Sequence, residues 1–263
     1  MKNAILILAG FMLYHIGSEY FEPIMLYLNK VIHYKLLSYF LTYILIGIPV
    51  FITICIVNKE LNFFRILGLQ SNILKGLLVG MIFSLPMFIG SAIQSNIAKN
   101  MSVPDLIART MFAGLFEEIY FRGFFFGQLF RKTQLGFLPS IFFCSIIFAS
   151  GHLYQSQDAG VLFGIFITTF MGSVFFAWLY VEWNYNLWVP IFLHTLMNLS
   201  WYIFTVSDNA LGTVNSNLFR ILTIALSIIL TVLYKKKIGA QLLINKRTLL
   251  MKMPLGNDKI AHI

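Results

Sequence analysis

Charged side chains are scarce in this chain: 10 Asp and Glu and 19 Lys and Arg occur among 263 residues, 11% in all. Soluble domains carry about 25% charged and about 45–50% apolar residues. Here 59% of the residues are apolar and the mean hydropathy is +0.81, which excludes an ordinary soluble globule. Cysteine is scarcer still. Cys55 and Cys144 each sit inside an apolar run, which excludes a disulfide framework and leaves the redox compartment unspecified. A polar stretch long enough for a soluble domain is missing too, so the chain divides into one membrane domain, residues 1–234, and a basic tail, residues 235–263. No internal repeat is recognisable, which argues against a transporter built from inverted halves. The zinc-protease helix motif, two His four apart around a Glu, is also absent, so any metal site must be assembled from separate helices.

What is present is a series of apolar runs. A helix needs ~20 residues to cross the hydrocarbon core, and eight runs approach that length: 4–24, 36–57, 73–93, 106–130, 137–153, 160–182, 187–206 and 218–234. The expected fold class is therefore an all-α polytopic membrane protein of about eight helices with its site inside the bundle. Lys2 precedes the first run, but Glu19 and Glu22 close it with no small-residue cleavage site, so it is expected as a retained helix rather than a secretory signal. Basic residues gather on one side of this arrangement: Lys2, Lys59, Arg65, Lys75, Arg131, Lys132, Lys235, Lys236, Lys237, Lys246, Arg247, Lys252 and Lys259, against Lys30, Lys35, Lys99 and Arg109 on the other. That bias predicts both termini in the cytoplasm. The net charge of +9 lies in short loops and the tail. Anionic lipid headgroups are thus the expected partner of the basic residues, and nucleic acid is not. Ile238 to Leu250 alternates basic and apolar residues, so the tail is expected either as a surface helix or as an irregular segment.

Three apolar runs carry polar side chains at helical spacing. An ionisable group at membrane depth costs on the order of 2.5–3.5 kcal/mol on insertion scales, so its default reading is a functional site facing the protein interior. Glu118 and Arg122 are four apart and share a helix face, while Glu117 is turned about 100° away. Arg122 can hold Glu118 ionised and leave Glu117 free to act as a general base. Phe148 and His152 share a face of the fifth run. His194 and Asn198 share one of the seventh, an imidazole and an amide able to donate to one developing oxyanion. Each of these pairs taken alone also fits a buried packing contact. Together they can hydrolyse a peptide bond in two ways: Glu117 with His152 activates a water directly, or a carboxylate with His152 and His194 ligates Zn²⁺, whose bound water has a pKa near ~7. The residues leave both routes open.

The ordered set Glu117-Glu118-x-x-x-Arg122, Phe148-x-x-x-His152 and His194-x-x-x-Asn198 resembles the CPBP intramembrane proteases, also called the Abi or CAAX-protease family, which includes the Ras-converting CAAX endopeptidase. The motif-bearing core runs over about 106–206; the first three apolar runs share only their hydropathy with the family. The resemblance implies an eight-helix intramembrane endopeptidase acting on a membrane-associated peptide or protein. Glu117 and His152 would be its water-activating pair, His194 and Asn198 the oxyanion support, and Glu118 and Arg122 orienting groups. It also implies roles such as peptide maturation or bacteriocin self-immunity, with metal dependence open. A non-catalytic immunity or scaffold protein keeping the same fold is the main alternative. A proton-coupled transporter and a serine protease using Ser150 explain less, the latter leaving Glu117, Glu118 and Arg122 without a task.

Overall fold

The structure, a computed structural model, describes residues 2–99 and 101–252. The part of the expected tail at 253–263, Lys259 included, lies outside the described residues. Among the described residues all named elements are helical. They run α1 (Lys2–Ser18), α2 (Phe21–Ile32), α3 (Lys35–Asn58), α4 (Phe63–Leu67), α5 (Ile73–Gln94), α6 (Val103–Ile107), a π-helical turn π1 (Ala108–Phe112), α7 (Ala113–Glu117), a longer π-helix π2 (Glu118–Phe126), α8 (Gly127–Lys132), α9 (Phe137–Ser150), a short 3₁₀ turn (Leu153–Gln155), α10 (Ala159–Glu182), α11 (Trp188–Ile203) and α12 (Val214–Lys237).

The eight apolar runs all fold as helices, though not every one is a single helix that meets the length and hydropathy of a membrane span. Five helices are long and apolar enough to cross a membrane, and six if α1 and α2, bent by 60° at their junction, make one span. Of the two remaining runs, the one from Val103 to Lys132 carries Glu117, Glu118 and Arg122. The other, α11, has only 16 residues. These are the two helices that bring the glutamates and His194.

The helix from Val103 to Lys132 is the centre of the bundle. Every residue of π2, Glu118-Ile-Tyr-Phe-Arg-Gly-Phe-Phe-Phe126, is buried. Its apolar side chains point to every side and so are covered only by being surrounded, while Glu118 and Arg122 within it pair with each other. Phe11 of α1 stacks on Phe125 with ring centres 3.9 Å apart, and the Tyr120 hydroxyl donates to the Tyr43 carbonyl of α3 at 2.7 Å. Phe148 of α9 meets Phe121 edge-on at 5.0 Å. On the far side, α11 lies along α5 in a groove cut by two glycines. A Cβ at Gly80 would stand 2.8 Å from the Phe192 Cβ and 3.0 Å from the Leu193 nitrogen, so side chains there would force the helices apart.

The start of α11 is set by a docked loop. Trp188 donates its indole N–H to the Leu69 carbonyl at 2.9 Å, and Asn186 donates to the Asn72 carbonyl at 3.1 Å. Gly68, at φ +84°, lies so close under the Tyr185 carbonyl that no side chain fits. Pro190 falls in the first turn of α11, where its missing N–H leaves no helical bond unmade.

The described part of the tail forms neither a helix nor a loose end. Residues 240–252 make a turn-rich strap across the ends of α9 and α10. The backbone N–H groups of Gly136, Phe137 and Leu138, which open α9 and have no partner within their own helix, donate to the carbonyls of Leu250, Thr248 and Leu249 at 2.8, 2.8 and 2.9 Å. Glu182, at the end of α10, accepts from the Leu243 and Ile244 N–H groups at 3.0 and 2.8 Å and pairs with Lys235 at 3.3 Å. Satisfying these buried groups favours the strap over a helix lying on the membrane surface.

Candidate active site

Glu117 closes α7 and Glu118 opens π2, so the register changes from α to π between the two carboxylates. The wider π turn, with its i→i+5 hydrogen bonds, is rare and recurs at functional sites. Glu118 and Arg122 remain on one face: a guanidinium nitrogen lies 3.1 Å from Glu118 Oε1, and both side chains are fully buried. The same Oε1 lies 2.8 Å from His194 Nδ1. Because an ionised carboxylate can only accept, Nδ1 donates to it, and in the neutral imidazole Nε2 then keeps its lone pair. Nε2 faces the second carboxylate, Glu117 Oε2, at 3.9 Å. His194 therefore spans both glutamates, bonded to one and presenting a free nitrogen to the other.

Glu117 differs from its neighbour in exposure, although Oε2 of both glutamates lacks a hydrogen-bond partner among the described residues. The Glu117 side chain is 27% exposed, against 0% for Glu118.

The other expected residues are placed less closely. His152 follows the C-terminus of α9, and its Nδ1 donates to the Phe148 carbonyl at 2.8 Å. Its ring packs on Phe148 at 4.7 Å, and the Arg122 guanidinium lies 4.3 Å from the centre of that same Phe148 ring. No nitrogen of His152 lies within 4.0 Å of a carboxylate oxygen among the described residues, so the structure does not pair it with Glu117. Asn198 sits one turn beyond His194 and donates to the Arg109 carbonyl through a long 3.5 Å contact, which a better acceptor would displace.

A zinc ion would need three protein ligands and an open position. Among the described residues no group of three or more His, Cys, Asp or Glu side chains could hold a metal ion. Glu117 Oε2 and His194 Nε2 face one point, and His152 is not with them, so the donor set does not fit zinc.

Two supporting features join these residues, one from the stripe of small residues that the sequence places along this helix (Ala113, Gly114, Gly123, Gly127) and one legible only in the fold. Gly114, one turn before Glu117, touches α11: a Cβ there would stand 2.9 Å from the Thr195 nitrogen and 3.1 Å from its Cα, and would overlap the Thr195 hydroxyl. The absence of a side chain at Gly114 thus sets the distance between the glutamate helix and the His194 helix. Phe176 of α10 stacks on the His194 ring at 5.1 Å and lies 5.4 Å from the Arg122 guanidinium. Gly114 belongs to a visible stripe of small residues. Nothing in the sequence distinguishes Phe176 from the other 26 phenylalanines.

Comparison with known proteins agrees on the segment concerned. Residues 99–200 match the family profile described as "Type II CAAX prenyl endopeptidase Rce1-like". The chain is also 37% identical over 98 residues to the Bacillus subtilis (strain 168) protein named "Putative membrane peptidase YdiL", a match covering 37% of this chain and 36% of that relative. No solved structure matches the chain. The profile match encloses all three motifs, Glu117 to Arg122, Phe148 to His152 and His194 to Asn198, so over residues 99–200 the chain is similar to the CAAX-protease family in the segment that carries them.

Proposed function

We propose that this protein is an intramembrane endopeptidase that cleaves a membrane-associated peptide or protein by direct activation of water. The observation that carries the reading is the bridging His194, with Nδ1 2.8 Å from Glu118 and Nε2 3.9 Å from Glu117. Two acceptors 3.9 Å apart both reach one water at hydrogen-bond distance of about 2.8 Å. That water donates one proton towards Nε2 and one towards Glu117 Oε2, and its oxygen lone pair points away from both.

The steps follow from that placement. Attack of the water oxygen on the scissile carbonyl carbon forms the C–O bond and moves the carbonyl π pair onto oxygen, while Glu117 takes the proton. The Asn198 amide, released from its long contact to Arg109, supports the oxyanion. Collapse reforms the carbonyl and breaks the C–N bond, and the departing amine takes the proton back from Glu117. Glu118 orients His194 through Nδ1, and Arg122 pairs with Glu118 in a fully buried setting. His152, with Nε2 free, belongs to the wall that receives the substrate. Both termini are assigned to the cytoplasm by the distribution of Lys and Arg, and the basic loops and tail are assigned to anionic lipid.

The test compares membrane peptides and new protein termini between cells carrying the native chain and cells carrying Glu117→Gln at matched expression. Cleavage products confined to the native chain would support the protease and name its substrate. Identical termini in both would remove every catalytic role given above and favour a binding protein on the same fold.

A further inference from the structure

We infer that Phe176 is a positioning residue of this site, one ring that holds both His194 and Arg122 in the arrangement the chemistry uses. This inference rests on the endopeptidase reading for its functional meaning, though not for its geometry. Arg122 is fully buried, and none of its three guanidinium nitrogens has a hydrogen-bond partner among the described residues. Its 3.1 Å contact with Glu118 is an ion pair without hydrogen-bond alignment. A guanidinium so placed is free to rotate about that one contact unless something else fixes its plane. Two aromatic rings do so: Phe148 with its centre 4.3 Å from the guanidinium carbon, and Phe176 at 5.4 Å. Both lie within the ~6 Å over which a ring face attracts a cation.

Phe176 also meets the second moving part. Its plane lies 21° from that of the His194 imidazole, with centres 5.1 Å apart. An imidazole that bonds through Nδ1 alone can swing about that bond. Stacking on a fixed ring confines the swing to the plane that keeps Nε2 directed at Glu117. Phe176 is itself fixed: it is 6% exposed, in a core cluster with Phe83, Phe175, Leu179, Trp183, Val189 and Leu193. Phe148 supports Arg122 and His152, whereas Phe176 alone among the described aromatic rings joins Arg122 to His194. The quadrupole of its ring favours positive charge at its face, so it also stabilises His194 when that imidazole shares a proton during the reaction.

The experiment leaves the ring in place and changes its charge distribution. Mono-, di- and trifluorinated phenylalanines are introduced at Phe176 in the full chain, purified and reconstituted, with the same series at Phe83 as the packing control. Two readouts are taken: kcat and KM on the cleaved membrane peptide, and the imidazole ¹⁵N resonances of His194. With increasing fluorination at Phe176 we expect kcat to fall stepwise, by about tenfold for the trifluorinated ring, with KM within about twofold. The His194 Nδ1 resonance should shift in the same order. The Phe83 series should move neither. Unchanged kcat and unchanged His194 resonances in the Phe176 series, with Glu117→Gln abolishing cleavage, would overturn the positioning role and leave the protease intact. Absence of cleavage by the native chain would overturn the protease reading instead, and the His194 resonances would then decide the positioning role by themselves.

Discussion

Gly114→Ala tests the distance on which the site depends. The new methyl would overlap the Thr195 hydroxyl and stand 2.9 Å from the Thr195 backbone nitrogen and 3.1 Å from its Cα. The hydroxyl can rotate away, but the backbone of α11 cannot. Ordinary contact begins near ~3.5 Å, so relief from 2.9 Å requires α11 to move back by about 0.6 Å. His194 precedes Thr195 and moves with it. Its 2.8 Å bond to Glu118 then lengthens to about 3.4 Å, beyond the range of a normal N–H···O bond. A hydrogen bond to a charged group contributes about 1.5–3 kcal/mol, and a misplacement approaching 1 Å near the chemistry costs about 10²-fold. We therefore expect Gly114→Ala to lower the cleavage rate by about 10–100-fold, with an overpacking cost of about 1–3 kcal/mol in stability. The assay is product formation in reconstituted membranes, normalised to folded protein by size-exclusion recovery and thermal unfolding. Gly172→Ala is the control, because a Cβ at that position meets nothing within 4 Å. Adding Thr195→Ala to Gly114→Ala removes the hydroxyl clash and not the backbone clash, so it should not restore activity. Full activity of the single variant, or full rescue by the double, would refute the claim that backbone contact at Gly114 sets the site.

Glu118→Gln should abolish cleavage and destabilise the fold by about 3–5 kcal/mol, because it leaves the Arg122 cation buried without its counter-charge; chemical unfolding in detergent measures it. Glu117→Gln should abolish cleavage while leaving thermal unfolding within about 0.5 kcal/mol, since this side chain is partly exposed and its Oε2 has no hydrogen-bond partner to lose. Glu182→Ala removes the acceptor for Leu243 and Ile244 and the partner of buried Lys235. It should release the strap and bring new tryptic cuts at Lys246 and Arg247, and an unchanged digestion pattern would count against the strap. His152→Ala should slow cleavage without altering the His194 ¹⁵N resonances, because His152 contacts neither glutamate.

The sequence by itself determined the class of this protein and the identity of its chemical groups. Hydropathy pointed to helices because a continuous apolar run of ~20 residues satisfies its own backbone in lipid as a helix, and all eight apolar runs fold as helices. Charges at Glu117, Glu118 and Arg122 pointed to a candidate site because burying charge at membrane depth is costly. The i, i+4 pairing of Glu118 with Arg122 was legible for the same local reason. Tertiary structure decided how the groups meet. That His194 bonds Glu118 and faces Glu117, while His152 turns to its own helix carbonyl, depends on how three helices pack, which spacing along a single helix cannot report. The π-helical register that begins at Glu118 reflects packing around a fully buried segment. Phe176 gained its place from the fold alone, since a phenylalanine among 27 becomes particular only when an arginine and a histidine arrive beside it from other helices.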